Sequence, residues 1–183
     1  MADGLVYIYA GDGRGKSPAA IGRAVQAAVA GKNVVIIQFL KGKGLEDSDF
    51  LRRMEPEIKL FRFEKSGENY EQLSENKKQE EISNIRNGLN FAKKVLATGE
   101  CDLLILDEVL GLIEKEIITL DDLKNILACR EDTSVILTGI KISDEICSLA
   151  DEVSRIDTIR YEKKPLTQDI ENAIIQTSNE IGR

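Results

Sequence analysis

The sequence predicts an α/β protein of the P-loop NTPase-like kind, with three layers: an open, mostly parallel sheet of five to six strands and helices on both faces. Three observations carry that expectation. Short, uniformly apolar segments rich in β-branched residues alternate with stretches of helical periodicity. The first strand and the first helix are joined by a loop with three glycines in five residues, Gly11 to Gly15. A later apolar run, Leu103 to Leu106, ends in two acids, Asp107 and Glu108.

Each element has its own reason. Leu5 to Ala10 is apolar, β-branched and aromatic, and reads as a buried strand. Ala19, Ala20, Ile21, Ala24, Val25 and Ala28 then recur at helical spacing up to Gly31, a natural stop. Val34 to Leu40 is a second buried strand, so the first 40 residues form a βαβ unit, which demands parallel pairing and a right-handed crossover. From Lys41 to Glu57 the chain is polar and glycine-punctuated, with a short helix expected around Phe50 to Met54. Ile58 to Phe63 alternates as a strand, and Glu64 to Tyr70 reads as a loop.

The second half repeats the alternation. Ile82, Ile85, Leu89, Ala92, Val95 and Leu96 mark one long amphipathic helix between Leu73 and Leu96, its charged remainder facing solvent. Leu103 to Asp107 is a strand. Thr119 heads a helix through Cys129, with Asp121 and Asp122 in the first turn, where the helix dipole favours them. Ser134 to Thr138 is a strand, Ser143 caps a short helix to Ala150, and Val153 to Tyr161 is a last strand. A final amphipathic helix is expected over roughly 167–181. With no repeat, low-complexity block or long linker, residues 1–183 read as one domain.

Composition narrows the chemistry. The 183 residues include 25 Lys plus Arg, 32 Asp plus Glu and no histidine, for a net charge of −7. Absence of histidine removes imidazole acid/base catalysis and His-ligated metal sites. The acidic balance argues against a nucleic-acid partner, which wants a basic footprint. The three cysteines form no CxxC pair and read as small buried apolar side chains in a reducing compartment. No apolar run approaches the ~18 residues of a membrane span, and no secretory leader opens the chain, so a cytoplasmic protein is expected.

The strongest motif is Gly11-Asp12-Gly13-Arg14-Gly15-Lys16-Ser17 between strand and helix, a P-loop with Ala10 at its usual first glycine. Glycines let successive backbone N–H groups turn inward around phosphate oxygens, and the helix that follows adds its positive end. Lys16 supplies a point charge to the phosphates of ATP, and the Ser17 hydroxyl suits Mg²⁺. Pro18 sits in the first helical turn, where a missing N–H breaks no intrahelical bond. Asp107-Glu108 ends its strand as a Walker B segment does, a further source of Mg²⁺ ligands. These residues alone leave open an ATPase or phosphotransferase, and an ATP-binding protein without transferase activity.

The segment Val6 to Ser17 resembles the N-terminal motif of the ATP:corrinoid adenosyltransferases. So do Val35 to Gly42 with its Gln-Phe-Leu-Lys-Gly ending, Leu104-Ile105-Leu106-Asp107-Glu108, Val135-Ile136-Leu137-Thr138-Gly139 and Ala150-Asp151, all in order. The resemblance implies transfer of the 5′-deoxyadenosyl group of ATP to Co(I) of a reduced corrinoid, with release of triphosphate. It implies that Gly11 to Ser17 hold the phosphates, that Lys16 and Glu108 are catalytic, and that Ser17, Glu108 and Asp107 serve the Mg²⁺. It also implies a homodimer and a reductase partner. The chain departs from the family pattern at Gln26 and Ile140, where arginines are expected. It departs again near Glu64 to Tyr70, where only Phe63 and Tyr70 stand for an aromatic-bearing loop, and at Glu162 to Pro165.

Overall fold

The computed structural model describes residues 4–40, 53–65 and 70–161. Six strands form one sheet: β1 (Val6–Ala10), β2 (Val34–Gln38), β3 (Ile58–Arg62), β4 (Leu103–Asp107), β5 (Ser134–Gly139) and β6 (Glu152–Arg155). Their order is β3-β2-β4-β5-β1-β6, and every pairing is parallel. The four inner strands carry apolar side chains on both faces, as a sheet covered on both sides requires.

Alternation along the strands divides the core. Ile36, Ile58, Ile105 and Ile136 point to α1 (Lys16–Val29), which lays Ala20 and Ala24 on that face. Val35, Ile37, Leu104, Leu106, Val135 and Leu137 point the other way. There they meet α2 (Glu75–Thr98) through Ile85, Ala92 and Val95, α3 (Val109–Glu114) through Leu110 and Leu112, and α4 (Leu120–Leu127) through Leu123 and Ile126. The short α5 (Asp144–Cys147) adds Ile146. The small alanine face of α1 lets one helix approach closely enough to serve five strands, β1 to β5.

Several expectations need correction. The last strand ends at Arg155 rather than Tyr161, because its neighbour β1 ends at Ala10 and the chain beyond turns onto the loop that follows β1. α3 is an element the periodicity did not predict. One member of the charged face of α2, Glu81, is only 3% exposed and accepts the backbone N–H of Lys65 at 3.0 Å. Cys101 is buried, but Cys129 and Cys147 are only half-buried; all three are free. Residues 53–57 are a turn before β3, while Phe50 itself, the helix expected over 167–181 and Glu162 to Pro165 lie outside the described residues. Among the described residues no helix is long and apolar enough to cross a membrane.

Candidate active site

At the carboxyl end of β1 the chain turns sharply. Gly11 has φ +125°, and a Cβ there would lie 2.5 Å from the carbonyl oxygen of Ile156; a Cβ on Gly13 would meet the same oxygen at 2.5 Å. Only glycine fits both positions. The loop is tied down on two sides. Gly11 N–H donates to the Ile140 carbonyl (3.1 Å), Gly13 N–H to the Ile156 carbonyl (2.9 Å) and Arg14 N–H to Thr158 Oγ1 (3.0 Å). Asp12 and Arg14 are exposed.

α1 begins at Lys16 with no side-chain cap and no acid in its first turn, which leaves its N-terminal field uncancelled. Pro18 sits in that first turn, as expected, and the Ala19 N–H already reaches the Gly15 carbonyl (2.8 Å). Lys16 is 8% exposed, and its Nζ donates to the carbonyls of Gly11 (2.8 Å) and Gly13 (2.9 Å), so the ammonium lies within the curl of its own loop. Ser17 Oγ donates to Asp107 Oδ1 at 2.8 Å, which links α1 to the end of β4.

Asp107 is the hub. It is 2% exposed. Oδ1 accepts Ser17 Oγ and also Thr138 Oγ1 (2.7 Å), and Oδ2 accepts Gln38 Nε2 (3.0 Å). Thr138, on β5 between the two motif strands, in turn accepts the Glu108 N–H at 2.8 Å. Glu108 has φ 62°, a left-handed turn that ends β4 and opens α3, so the two adjacent acids stand in different surroundings. Arg62 Nε donates to Gln38 Oε1 at 3.2 Å.

The structure therefore gathers Gly11, Gly13, Gly15, Lys16, Ser17, Asp107 and Glu108 at one edge of the sheet. Gln38, Thr138, Arg62, Ile156 and Thr158, which no sequence motif marks as site residues, join them. The signal for the first two was present: each is the polar residue near the end of an otherwise apolar strand.

The positions of departure are also placed. Gln26 is exposed on α1, and Ile140 is 46% exposed just beyond β5. Phe63 packs on Phe91 with ring centroids 6.0 Å apart, and a Cβ on Gly88 would meet its ring at 2.5 Å. Tyr70 lies 5.9 Å from the Lys115 ammonium, which pairs with Glu71 at 2.6 Å. That ion pair holds the exposed Glu71 carboxyl below its ordinary range. Both aromatics are thus engaged with the helix layer.

A glycine-turned loop feeding a helix, its lysine enclosed and its serine bonded to an aspartate at the end of a strand beyond one intervening strand, defines the P-loop class. A KaiC-like protein, PH0186 from Pyrococcus horikoshii OT3, has a similar fold at TM-score 0.52 and 17% identity, over 88% of this chain and 77% of its own. Residues 2–173 match the family model for ATP:corrinoid adenosyltransferase BtuR/CobO/CobP, and the chain belongs to that family. It is 28% identical over 159 residues to the corrinoid adenosyltransferase of Escherichia coli K12, covering 86% of this chain and 79% of the relative. The Salmonella typhimurium relative gives the same figures, and that of Pseudomonas aeruginosa is 26% identical over 160 residues, 86% of this chain and 77% of its own.

Proposed function

We propose that this chain transfers the 5′-deoxyadenosyl group of ATP to the Co(I) centre of a reduced corrinoid. The observation that carries the reading is the enclosed Lys16 beside the Ser17–Asp107 bond, in a member of this family. In the reaction the cobalt electron pair forms the bond to C5′. The C5′–O bond breaks and its electrons leave on triphosphate. No proton has to be taken from the nucleophile, so a chain without histidine lacks nothing the step demands.

What the protein must supply is alignment and charge stabilisation on the leaving group. The N–H groups of Gly11, Gly13 and Arg14 anchor the loop to Ile140, Ile156 and Thr158, so that the curl of the loop and the start of α1 would cradle the triphosphate, and Lys16 would exchange its two loop carbonyls for phosphate oxygens. A hydroxyl and two carboxylates are hard oxygen donors of the kind Mg²⁺ takes together with phosphates. Ser17 and Glu108 would hold the ion directly, with Asp107 acting through Ser17 or a water; when bound it neutralises phosphate charge. The Co(I) state itself calls for an electron donor, a reductase partner.

The test is an anaerobic spectroscopic assay with reduced corrinoid, ATP and Mg²⁺. The wild type should yield a light-sensitive cobalt–carbon product and intact triphosphate. Lys16→Ala should lose about 10²–10³-fold in rate, the scale of one lost charge-stabilising donor. Release of orthophosphate without a cobalt–carbon product would assign the site to an ordinary ATPase instead.

A further inference from the structure

We propose that Arg62 and Gln38 are positioning residues for the cation-facing side of the site, with Arg62 fixing the direction of the Gln38 amide and that amide fixing Asp107. The inference rests on the nucleotide reading above but assigns work to two residues that reading does not use.

The arrangement begins with register. Gln38 lies opposite Arg62 on one side and Asp107 on the other, so the last residues of β3, β2 and β4 form a lateral row. Backbone bonds continue the row past the strand ends: Phe63 N–H donates to the Gln38 carbonyl (3.1 Å) and Phe39 N–H to the Asp107 carbonyl (3.0 Å). At 2% exposure the Gln38 amide has no bulk water to satisfy it and must bond within the protein.

Its two ends differ chemically. A carboxylate only accepts and a guanidinium only donates, whereas an amide presents one face of each kind. Between Asp107 and Arg62 a single orientation satisfies all three groups: NH₂ toward Asp107 (3.0 Å) and oxygen toward Arg62 Nε (3.2 Å). The reverse would set oxygen against oxygen and donor against donor. Both bonds are charge-assisted, hence stronger than amide–amide bonds.

The consequence reaches Ser17. With Oδ2 held by Gln38, Asp107 turns Oδ1 to the hydroxyls of Ser17 (2.8 Å) and Thr138 (2.7 Å). The Ser17 proton is thereby directed to Asp107, which sets the orientation of the oxygen that would meet a cation. Take away Arg62 and the amide is free to rotate, which loosens the carboxylate and the hydroxyl that depends on it. Arg62 is on an exposed edge-strand position, so its replacement should spare the fold.

The experiment is calorimetric titration of ATP into the whole chain with and without Mg²⁺, for wild type, Arg62→Met, Arg62→Lys and Gln38→Leu, with melting temperatures alongside. Arg62→Met should weaken Mg²⁺-dependent ATP affinity about five- to tenfold, the scale of one net hydrogen bond, leave Mg²⁺-free affinity unchanged, and lower the melting temperature by no more than a few degrees, the cost of a Gln38 oxygen that loses its donor. Arg62→Lys, which keeps a cationic donor, should recover most of the loss. Adding Arg62→Met to Gln38→Leu should cost nothing more, because the relay is already cut. An Arg62→Met chain that titrates like wild type overturns the relay, as does one weakened equally with and without Mg²⁺, or full additivity with Gln38→Leu. A wild type that binds Mg²⁺·ATP but makes no cobalt–carbon product overturns the reaction alone; one that binds no ATP overturns both.

Discussion

Asp107 and Glu108 are neighbours in sequence and read there as one acidic pair, yet one backbone rotation separates their circumstances. Asp107 closes β4 and turns inward to three donors, while Glu108 at φ 62° starts α3. The motif glycines, Lys16 and Ser17 were legible because their spacing is dictated locally by the phosphate. Gln38, Thr138 and Arg62 were not, since each gains meaning only when β2, β3 and β5 are laid beside β4. Gly139 belongs to the same category. It follows Thr138, and a Cβ there would lie 2.4 Å from Leu110 Cβ, so its lack of a side chain is what lets α3 press on β5. Leu110 is 1% exposed and its Cβ is fixed to the helix, so α3 as a body would have to move. Gly139→Ala should destabilise the chain by about 1–3 kcal/mol, the usual cost of an overpacked core, read from urea midpoints. A midpoint equal to wild type would show that α3 yields freely.

At the scale of elements, the helices with local signals were readable and the one without was not. α3 is six residues of nearly continuous apolar chain, too short for a period, and it exists because Glu108 turns the chain and Leu110 and Leu112 find the core. β6 was overextended because its apolar residues continue past the point where a neighbour strand is available. α4, by contrast, carries its start in its sequence. Thr119 Oγ1 accepts the Asp122 N–H at 3.1 Å, and Asp122 Oδ2 accepts the Thr119 N–H at 2.8 Å, a reciprocal cap. Thr119→Ala should cost about 1 kcal/mol at neutral pH. The Asp122 carboxyl is held below its ordinary value of 3.8, first by the Thr119 backbone N–H and then by its hydroxyl. A depressed folded-state value means stabilisation that is present above 3.8 and lost as pH falls through the folded value. Urea midpoints of wild type and Asp122→Asn should therefore differ at pH 7 and draw together as the pH is taken below 3.8. A gap of the same size above and well below 3.8 would exclude the carboxylate as its cause.

For the molecule as a whole, the class of sheet was legible in the alternation of strands and helices, but the strand order was not. β1 lies between β5 and β6, the two strands most distant from it in sequence, and no local pattern encodes that pairing. The order has a functional consequence. β1 sends its chain to α1 on one face, whereas β4 and β5 send theirs to helices on the other, the change of face at which sheets of this kind bind their ligands. A nucleotide seated there would touch the loop after β1, which is bonded to the exits of β5 and β6, and through Ser17 it would reach β4. Binding should therefore stabilise the sheet globally rather than order one loop. At about 100 times its dissociation constant, Mg²⁺·ATP adds about 2.7 kcal/mol. For a chain of this size that corresponds to a rise of about 5–10 °C in melting temperature by scanning calorimetry. Lys16→Ala should show little or none of the rise. Because both helix layers pack on one sheet, a single transition should move as a unit. Two transitions, only one of them shifted by ATP, would mean that residues 1–183 do not melt as one cooperative domain, and that the nucleotide holds only part of the sheet.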